Sequence, residues 1–313
     1  MLVTLLSGGV GGAKLVLGFS KVLQGGELTV IGNTGDDFEL FGLHISPDLD
    51  IVMYTLAGIV DVQRGWGIEG DTFNCLEAFN KRYGLEKWFN LGDKDLATHI
   101  YRTELLGKGY GLSEVTAILC SAIGLRGVRL IPMTDDSVET SVKIENGSFI
   151  SFQEYFVKRQ CKDLVSGVRY LRSRAAEPAK GVLESIRKSN MVVICPSNPI
   201  ASIGPILSIR KIKAALENAL CPVVAVSPII KGAPLKGPAD KFMKGLGFEV
   251  SATGVAKFYK DLIDYLILDE ADADLEGEIR SIGINTVLAK TIMNSLEDKT
   301  GLAKTILRVG SEI

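Results

Sequence analysis

Short apolar runs alternate with amphipathic segments along much of the chain. Strands are predicted at the start of the chain and at residues 28–31, and the wholly apolar runs near residues 191–194 and 222–227 are typical of strands buried on both faces of a parallel sheet. Between the first two runs, residues 13–23 carry apolar side chains at helical spacing, and Gly25-Gly26 ends that helix. The pattern predicts a β-α-β unit at the start of an α/β fold.

This alternation is interrupted in the middle of the chain. Helices are predicted at residues 51–57, 71–83, 93–106 and 112–123. Strands follow at residues 128–132, 140–144, 148–152 and 165–171, with Glu145-Asn146-Gly147 as a hairpin turn, and further helices at 178–188 and 209–219. We therefore predict a Rossmann-like, doubly wound, mostly parallel sheet formed by residues 1–60 and 171–313, with a helical and β-hairpin insertion over residues 61–170.

The first strand leads into a glycine-dense turn, Ser7-Gly8-Gly9-Val10-Gly11-Gly12-Ala13-Lys14. The start of a helix offers free N–H groups and a positive dipole end, and glycines let an anion approach the backbone, so Gly9, Gly11 and Gly12 are candidate phosphate ligands. Leu15 follows Lys14 where a Walker A loop has Ser or Thr. A dinucleotide fingerprint is disfavoured because its third small position falls on Lys14 and the second strand ends in Gly32-Asn33 rather than an acid. The alternative is a tight turn that binds nothing.

Four carboxylates follow the second predicted strand, in Asn33-Thr34-Gly35-Asp36-Asp37 and Pro47-Asp48-Leu49-Asp50. Loops after neighbouring parallel strands lie at one edge of the sheet, so these acids are expected to face the glycine turn across a ligand. Magnesium prefers a few carboxylates together with phosphate oxygens, and a carboxylate free of metal can accept a proton from an attacking hydroxyl. The predicted magnesium ligands are Asp36, Asp37, Asp48 and Asp50. The alternative is that they are solvated turn and cap residues.

Two further polar loops follow the later buried strands. In residues 195–205, prolines restrain the backbone around Ser197, Asn198 and Ser202, whose hydroxyl and amide groups suit a base, a ribose or a phosphate. An ordinary strand-to-helix connection with Ser202 as N-cap is the alternative. In residues 227–239, Lys231 and Lys236 are placed to neutralise a diphosphate, although such a loop needs no ligand.

Composition excludes several classes of function. The net charge of −2, from 35 basic and 37 acidic residues, argues against a nucleic-acid binder. The five cysteines are widely spaced and suggest neither a disulfide framework nor a metal site, and His44 and His99 pair with no nucleophile motif. No apolar run is long enough to span a membrane and the chain starts with a strand rather than a signal, so a cytoplasmic location is expected. Trp66, Trp88 and Phe89 are candidates for stacking on a planar ring, with core packing as the alternative.

These motifs together resemble the 2-phospho-L-lactate transferase family. The resemblance covers residues 1 to about 240 and is carried by the glycine turn and by Asn33-Thr-Gly-Asp-Asp37, Pro47-Asp-Leu-Asp50, Arg64-Gly-Trp-Gly67, Trp88-Phe89, Asp95-Leu-Ala-Thr-His99, Pro196-Ser-Asn-Pro199 and Ser227-Pro-Ile-Ile230. It implies an enzyme of coenzyme F-420 biosynthesis that moves a phospholactyl group from a guanosine diphosphate conjugate to the ribityl hydroxyl of the deazaflavin Fo and releases GMP. Lactate, enolpyruvate and phosphoglycerate donors stay open.

The resemblance also assigns expected roles to residues. It implies that the glycine turn, Ser197, Asn198 and Ser202 contact the guanosine diphosphate part of the donor, for which Asn33 and Lys231 are further candidate ligands. Asp50, Trp88 and Phe89 are expected to approach Fo under the inserted segment, with Asp50 orienting or deprotonating the hydroxyl. A homodimer is the expected assembly. The alternatives are a nucleotide-sugar-binding regulator without turnover, and a dinucleotide oxidoreductase, which Lys14 disfavours.

Overall fold

The computed structural model describes residues 1–310, so the end of the predicted core segment, residues 311–313, lies outside the described residues. The elements of the first part of the chain are β1 (Val3–Ser7), α1 (Gly9–Val22), β2 (Leu28–Gly32), β3 (Phe38–Leu40), β4 (Leu43–Ile45), α2 (Pro47–Ala57), α3 (Asn74–Tyr83), α4 (Asp93–Gly107), α5 (Leu112–Ala122), β5 (Val128–Pro132), β6 (Glu139–Ile144), β7 (Phe149–Ser151) and β8 (Val165–Leu171).

The second part of the chain continues the alternation of helices and strands. Its elements are α6 (Val182–Lys188), β9 (Met191–Ile194), α7 (Gly204–Ser208), α8 (Arg210–Glu217), β10 (Val223–Val226), β11 (Ile229–Ile230), β12 (Ala233–Pro234), α9 (Ala239–Gly245), α10 (Ala252–Phe258), β13 (Tyr265–Asp269), α11 (Glu276–Ser281), β14 (Asn285–Ala289) and α12 (Leu296–Val309). Short π-helical segments cover Glu154–Lys158 and Pro199–Ile203, and a 3-10 helix covers Glu270–Leu275.

The central sheet has seven strands in the order β14-β13-β10-β9-β1-β2-β5, and every neighbouring pair is parallel. Alternate side chains of each strand enter separate apolar clusters on the two faces: Val192 and Ile194 pack on one face, Met191 and Val193 on the other. Helices cover both faces because both are apolar. The predicted doubly wound, Rossmann-like sheet is confirmed.

The strand β5 belongs to the central sheet and not to the predicted insertion. Residues 128–132 fall within the predicted insertion, yet β5 pairs with β2, from Leu28 opposite Val128 to Gly32 opposite Pro132, and forms the edge of the central sheet. Its first residues are partly exposed, as suits an edge strand. The remaining strands β6, β7 and β8 form a separate antiparallel sheet, and the predicted hairpin turn at Glu145-Asn146-Gly147 is confirmed.

Several helix boundaries differ from the predicted ones for local reasons. The helix predicted from residue 71 begins at Asn74, because the Asp71 carboxylate accepts the N–H groups of Thr72 and Lys94. The helix predicted from residue 178 begins at Val182, because Pro178 forms a bridge with Thr134. No helix within residues 1–310 is long and apolar enough to cross a membrane.

Helix α12 packs across α1 at a point where only a hydrogen fits. A Cβ on Gly18 would lie 2.7 Å from the backbone carbonyl carbon of Lys299 and would collide with its oxygen. Phe19 of α1 and Ile306 of α12 are fully buried in the apolar cluster on this face. The last helix of the described chain is therefore held directly against the first.

We expect Gly18→Ala to lower the free energy of unfolding by about 1–3 kcal/mol, because the added methyl group forces α1 and α12 apart. Gly301→Ala is the matched control: Gly301 lies in α12 with no atom within 4 Å of an added Cβ, so alanine should raise stability by up to about 1 kcal/mol. Urea denaturation followed by circular dichroism measures both. Equal effects of the two substitutions would contradict the close contact.

Candidate active site

A cavity of about 640 Å³ opens at the carboxyl ends of β1 and β9. These neighbouring strands mark the point where the strand order reverses, the usual ligand position in open α/β sheets. The predicted site residues that line the cavity are Gly9, Gly11, Asp36, Asp48, Asp50, Phe89, Ser197, Asn198 and Ser202. Those that lie outside its lining are Gly12, Asn33, Asp37, Trp88 and Lys231.

The glycine turn is in direct contact with the loop after β9. The Gly8 N–H donates to Ser197 Oγ at 3.2 Å, and the Ser197 hydroxyl donates to the Gly8 carbonyl at 2.6 Å. A Cβ on Gly11 would lie 2.5 Å from the Pro196 carbonyl oxygen, and one on Gly12 would lie 2.7 Å from Ser197 Oγ. Gly11 and Gly12 therefore allow the two loops to touch, and Gly12 serves packing rather than the cavity wall.

Three of the four predicted acids line the cavity, and two of them, Asp36 and Asp48, share one amide partner. Asp48 accepts the Gly9 N–H at 2.8 Å and the Asn33 side-chain amide at 2.9 Å, and the same amide lies 3.2 Å from Asp36. The carboxylate of Asp48 thus accepts the first N–H of α1. The positive end of the helix dipole favours a negative charge at this position. Asn33 lies behind the cavity wall and bridges Asp36 and Asp48.

Burial makes the charged forms of these two acids costly. It raises the pKa of Asp48 to about 6, and it raises the pKa of Asp36 well above its usual value, with the charge of Asp48 adding to the effect. Asp36 Oδ1 has no well-aligned hydrogen-bond donor. The pair therefore lacks positive charge at the cavity wall, which a bound cation would supply.

The other two acids have partners of their own. Asp37 accepts the Ser46 hydroxyl at 2.7 Å and lies 3.1 Å from His44 Nε2, and Asp50 pairs with Arg102. Within residues 1–310 no group of three or more His, Cys, Asp or Glu side chains is arranged to hold a metal ion. Asp36 and Asp48 alone fit magnesium, since that ion commonly takes one or two carboxylates and completes its shell with phosphate oxygens and water.

A buried polar network surrounds Asp50, and its members Tyr54, Asp95 and His99 also line the cavity. Arg102 Nη1 donates to Asp50 Oδ2 at 3.1 Å, and Arg102 Nη2 donates to Asp50 Oδ1. Arg102 Nη1 also lies 3.1 Å from His99 Nδ1, while His99 Nε2 lies 3.2 Å from Asp95 Oδ1, which accepts the Tyr54 hydroxyl at 2.7 Å. The spacing of Asp95, His99 and Arg102 along α4 places these three side chains on one helix face, but it does not reveal their contact with Asp50.

The aromatic side chains divide differently from the prediction. Phe89 lines the cavity, whereas Trp88 packs against Phe38, with ring centroids 5.7 Å apart. Trp66 lines the cavity instead of Trp88, and it is 40% exposed. Phe152 and Phe156 add further apolar wall.

The lysines of the cavity are Lys14 and Lys236. Lys231 lies outside its lining and pairs with Asp274 at 3.7 Å, with both side chains exposed. Lys236 Nζ lies 2.8 Å from the position a Gly65 Cβ would take, so it reaches the loop that carries Trp66. Burial, followed by the charges of Lys236 and Lys299, lowers the pKa of Lys14. Neither Lys14 nor Lys236 forms an ion pair within the described chain.

The chain matches the model of the family described as 2-phospho-L-lactate transferase CofD over residues 3–289. The chain belongs to the 2-phospho-L-lactate transferase family. It is therefore a transferase, and the resemblance inferred from its motifs is confirmed.

Relatives of this family member carry two different names. The chain is 42% identical over 318 residues to a phosphoenolpyruvate transferase of Streptomyces griseus, covering 100% of this chain and 99% of the relative. It is 41% identical over 308 residues to a 2-phospho-L-lactate transferase of Methanocaldococcus jannaschii, covering 97% of each. Because the chain is almost equally identical to both relatives, the identities do not show which of the two acids it transfers.

A solved structure supports the fold of the family member. A Bacillus halodurans protein described as a member of the upf0052 family superposes with a TM-score of 0.63 at 13% identity, covering 98% of each chain. At this identity the likeness concerns the arrangement of helices and strands alone.

We expect Asp36→Asn to stabilise the magnesium-free protein at pH 7 but not at pH 4. Because burial raises the pKa of Asp36, the folded wild type favours the neutral acid, and its stability falls as pH rises toward that pKa. Asparagine is neutral throughout, so the advantage of the variant should grow by up to about 1.4 kcal/mol per pH unit. Denaturation of both proteins at pH 4 and at pH 7 measures the difference in their free energies of unfolding.

Glu145→Gln, in the exposed hairpin turn, is the control and should leave stability unchanged at both pH values. An Asp36→Asn variant that is less stable than the wild type at pH 7 would show that the Asp36 charge is compensated in the folded protein.

Proposed function

We propose that this protein transfers a phospho-acid group from a guanosine diphosphate conjugate to the ribityl hydroxyl of the deazaflavin Fo, releasing GMP and forming the precursor of coenzyme F-420. The observation that carries the proposal is the lining of the cavity, which brings phosphate-binding groups and ring-binding groups together. We assign the glycine turn, Asp36, Asp48, Lys14 and Lys236 to a first wall, and Asp50, Phe89 and Trp66 to a second wall. A donor rich in phosphate and an acceptor with a planar ring and a hydroxylated chain match these walls.

The first wall suits the diphosphate of the donor. The start of α1 and the ammonium groups of Lys14 and Lys236 attract phosphate oxygens, while Ser197 and Ser202 line the adjoining surface with hydroxyl groups. Asp36 and Asp48 would hold magnesium here, and the ion would supply neutralisation of phosphate charge. Asn198 uses its Oδ1 to accept two backbone N–H groups, which leaves its amide NH₂ for a ligand.

The second wall suits the acceptor. Ile45, Phe89 and Trp66 offer apolar surface for a deazaflavin ring, and Asp50 lines the same cavity. The carboxylate of Asp50 would accept a hydrogen bond from the ribityl hydroxyl and orient its oxygen toward the donor phosphorus. In the transfer, the hydroxyl oxygen forms a bond to the phosphorus that carries the acid, the bond from that phosphorus to the GMP oxygen breaks, and the hydroxyl proton leaves to solvent or a cavity base.

The acid on the donor is open among lactate, enolpyruvate and phosphoglycerate, as the names of the relatives also leave it. The homodimer and the cytoplasmic location expected from the sequence stay predictions.

The test is incubation of the purified protein with Fo, magnesium and each of the three guanosine-linked donors in turn. GMP release and the mass of the deazaflavin product are measured together. We expect equal amounts of both products with one preferred donor and loss of both after chelation of magnesium. Binding of nucleotide without product from any donor would instead favour the non-catalytic regulator.

A pair of lysine substitutions tests the assignment of the donor wall. We expect Lys236→Met to raise KM for the donor about tenfold or more, because one ammonium contact to a phosphate is worth about 1.4 kcal/mol or more inside a cavity. Lys231→Met is the matched control, since Lys231 pairs with Asp274 outside the cavity, and its KM should stay within about twofold of the wild type. The reverse ranking would place the diphosphate against Lys231.

A further inference from the structure

Arg102 is the largest side chain that is fully buried in the described protein, and it lies behind the cavity rather than in it. Arg102 is 1% exposed. Its guanidinium contacts both carboxylate oxygens of Asp50, which does line the cavity. A two-pronged contact of this kind fixes the plane of a carboxylate as well as its position. Arg102 therefore determines how Asp50 faces the ligand.

His99 holds Arg102 in turn, because its Nδ1 lies 3.1 Å from Arg102 Nη1. Arg102 Nη1 has only hydrogens to offer, so His99 Nδ1 must accept. The ring proton then lies on Nε2, which faces Asp95 Oδ1 at 3.2 Å. Asp95 is itself held by the Tyr54 hydroxyl. Arg102, His99 and Asp95 thus form a continuous run of buried polar contacts next to Asp50.

The contact leaves Asp50 able to act on a ligand. Each carboxylate oxygen has two acceptor sites, and the guanidinium occupies one on each. The remaining sites can take a hydrogen bond from a hydroxyl in the cavity. Since the Asp50 side chain is only 7% exposed, a negative charge there without Arg102 would be costly.

We propose that Arg102 is a positioning residue for the acceptor: it acts through Asp50, fixing the carboxylate so that the acceptor hydroxyl points at the donor phosphorus, with His99 fixing Arg102. This inference rests on the proposed function, because it takes an alcohol as the acceptor. A purely structural role for Arg102 would lower stability without acting through Asp50. The two explanations differ in how substitutions at the two positions combine.

The experiment is a double-mutant cycle with Arg102→Met, Asp50→Asn and the double variant. The readouts are kcat and KM for Fo, the Kd for GDP, and Tm. In the wild-type background we expect Arg102→Met to lower kcat about 100-fold, as misplacement of a reacting group does. In the Asp50→Asn background the same substitution should change kcat by less than about threefold, because its target is already lost. GDP binding should be unchanged throughout.

The double variant removes both buried charges together, so it is expected to fold even if Arg102→Met alone does not. In that case Arg102→Lys, which keeps the charge and loses the fork, replaces it in the cycle and should lower kcat about tenfold. His99→Gln can accept from Arg102 and donate to Asp95, so it should retain most activity, whereas His99→Leu should behave like Arg102→Lys.

Equal effects of the Arg102 substitution in both backgrounds would overturn the inference while leaving the transferase proposal intact. A loss confined to Tm, with kcat preserved, would overturn it in the same way. If the wild type forms product with no donor, the proposed function fails and the inference with it. Wild-type turnover therefore separates the two failures.

Discussion

The architecture of the site depends on one close contact, between the glycine turn after β1 and the loop after β9. The Gly8 backbone exchanges hydrogen bonds with Ser197, and side chains at Gly11 or Gly12 would collide with Pro196 or Ser197. This contact brings the start of α1 and the serine-rich loop to one cavity. Because Gly11 and Gly12 have no Cβ atoms, the two loops can pack against each other, and this packing forms the cavity.

The carboxylates of Asp48 and Asp50 have different partners because of helix geometry. Asp48 and Asp50 both lie in the first turn of α2, but residues two apart on a helix do not face the same way. Asp48 therefore turns to Gly9 and Asn33, while Asp50 turns to Arg102. Two nearby carboxylates acquire different environments, one poor in positive charge and one paired with a guanidinium. The proposed division of tasks between a donor side and an acceptor side rests on this local geometry.

The sequence predicts the features that follow from the regular geometry of a parallel sheet. It does not reveal contacts between residues that are far apart along the chain. Loops after parallel strands meet at one edge, so Asp36, Asp48 and Asp50 could be placed together with Ser197 and Ser202, although Asp37 lies outside the cavity lining. The partner of Asp50 is 52 residues away on α4, which no local pattern reveals. Lys231 lies in the turn of the short β11–β12 hairpin and Lys236 follows the hairpin. The fold of this hairpin determines that Lys236, and not Lys231, lines the cavity. Strand β5 was misplaced because a sheet edge and a hairpin strand look alike locally.

The order of the strands has a consequence for synthesis of the chain. The interior strand β1 is translated before the other strands of the sheet, but its neighbour β9 follows only after more than half of the chain, and Gly8 is separated from Ser197 by 189 residues. One edge of β1 has no native partner on the ribosome until β9 emerges, and an open edge is a template for pairing with the wrong strand. The growing polypeptide is therefore most vulnerable to misassociation before β9 is made, and the cavity is completed late in translation.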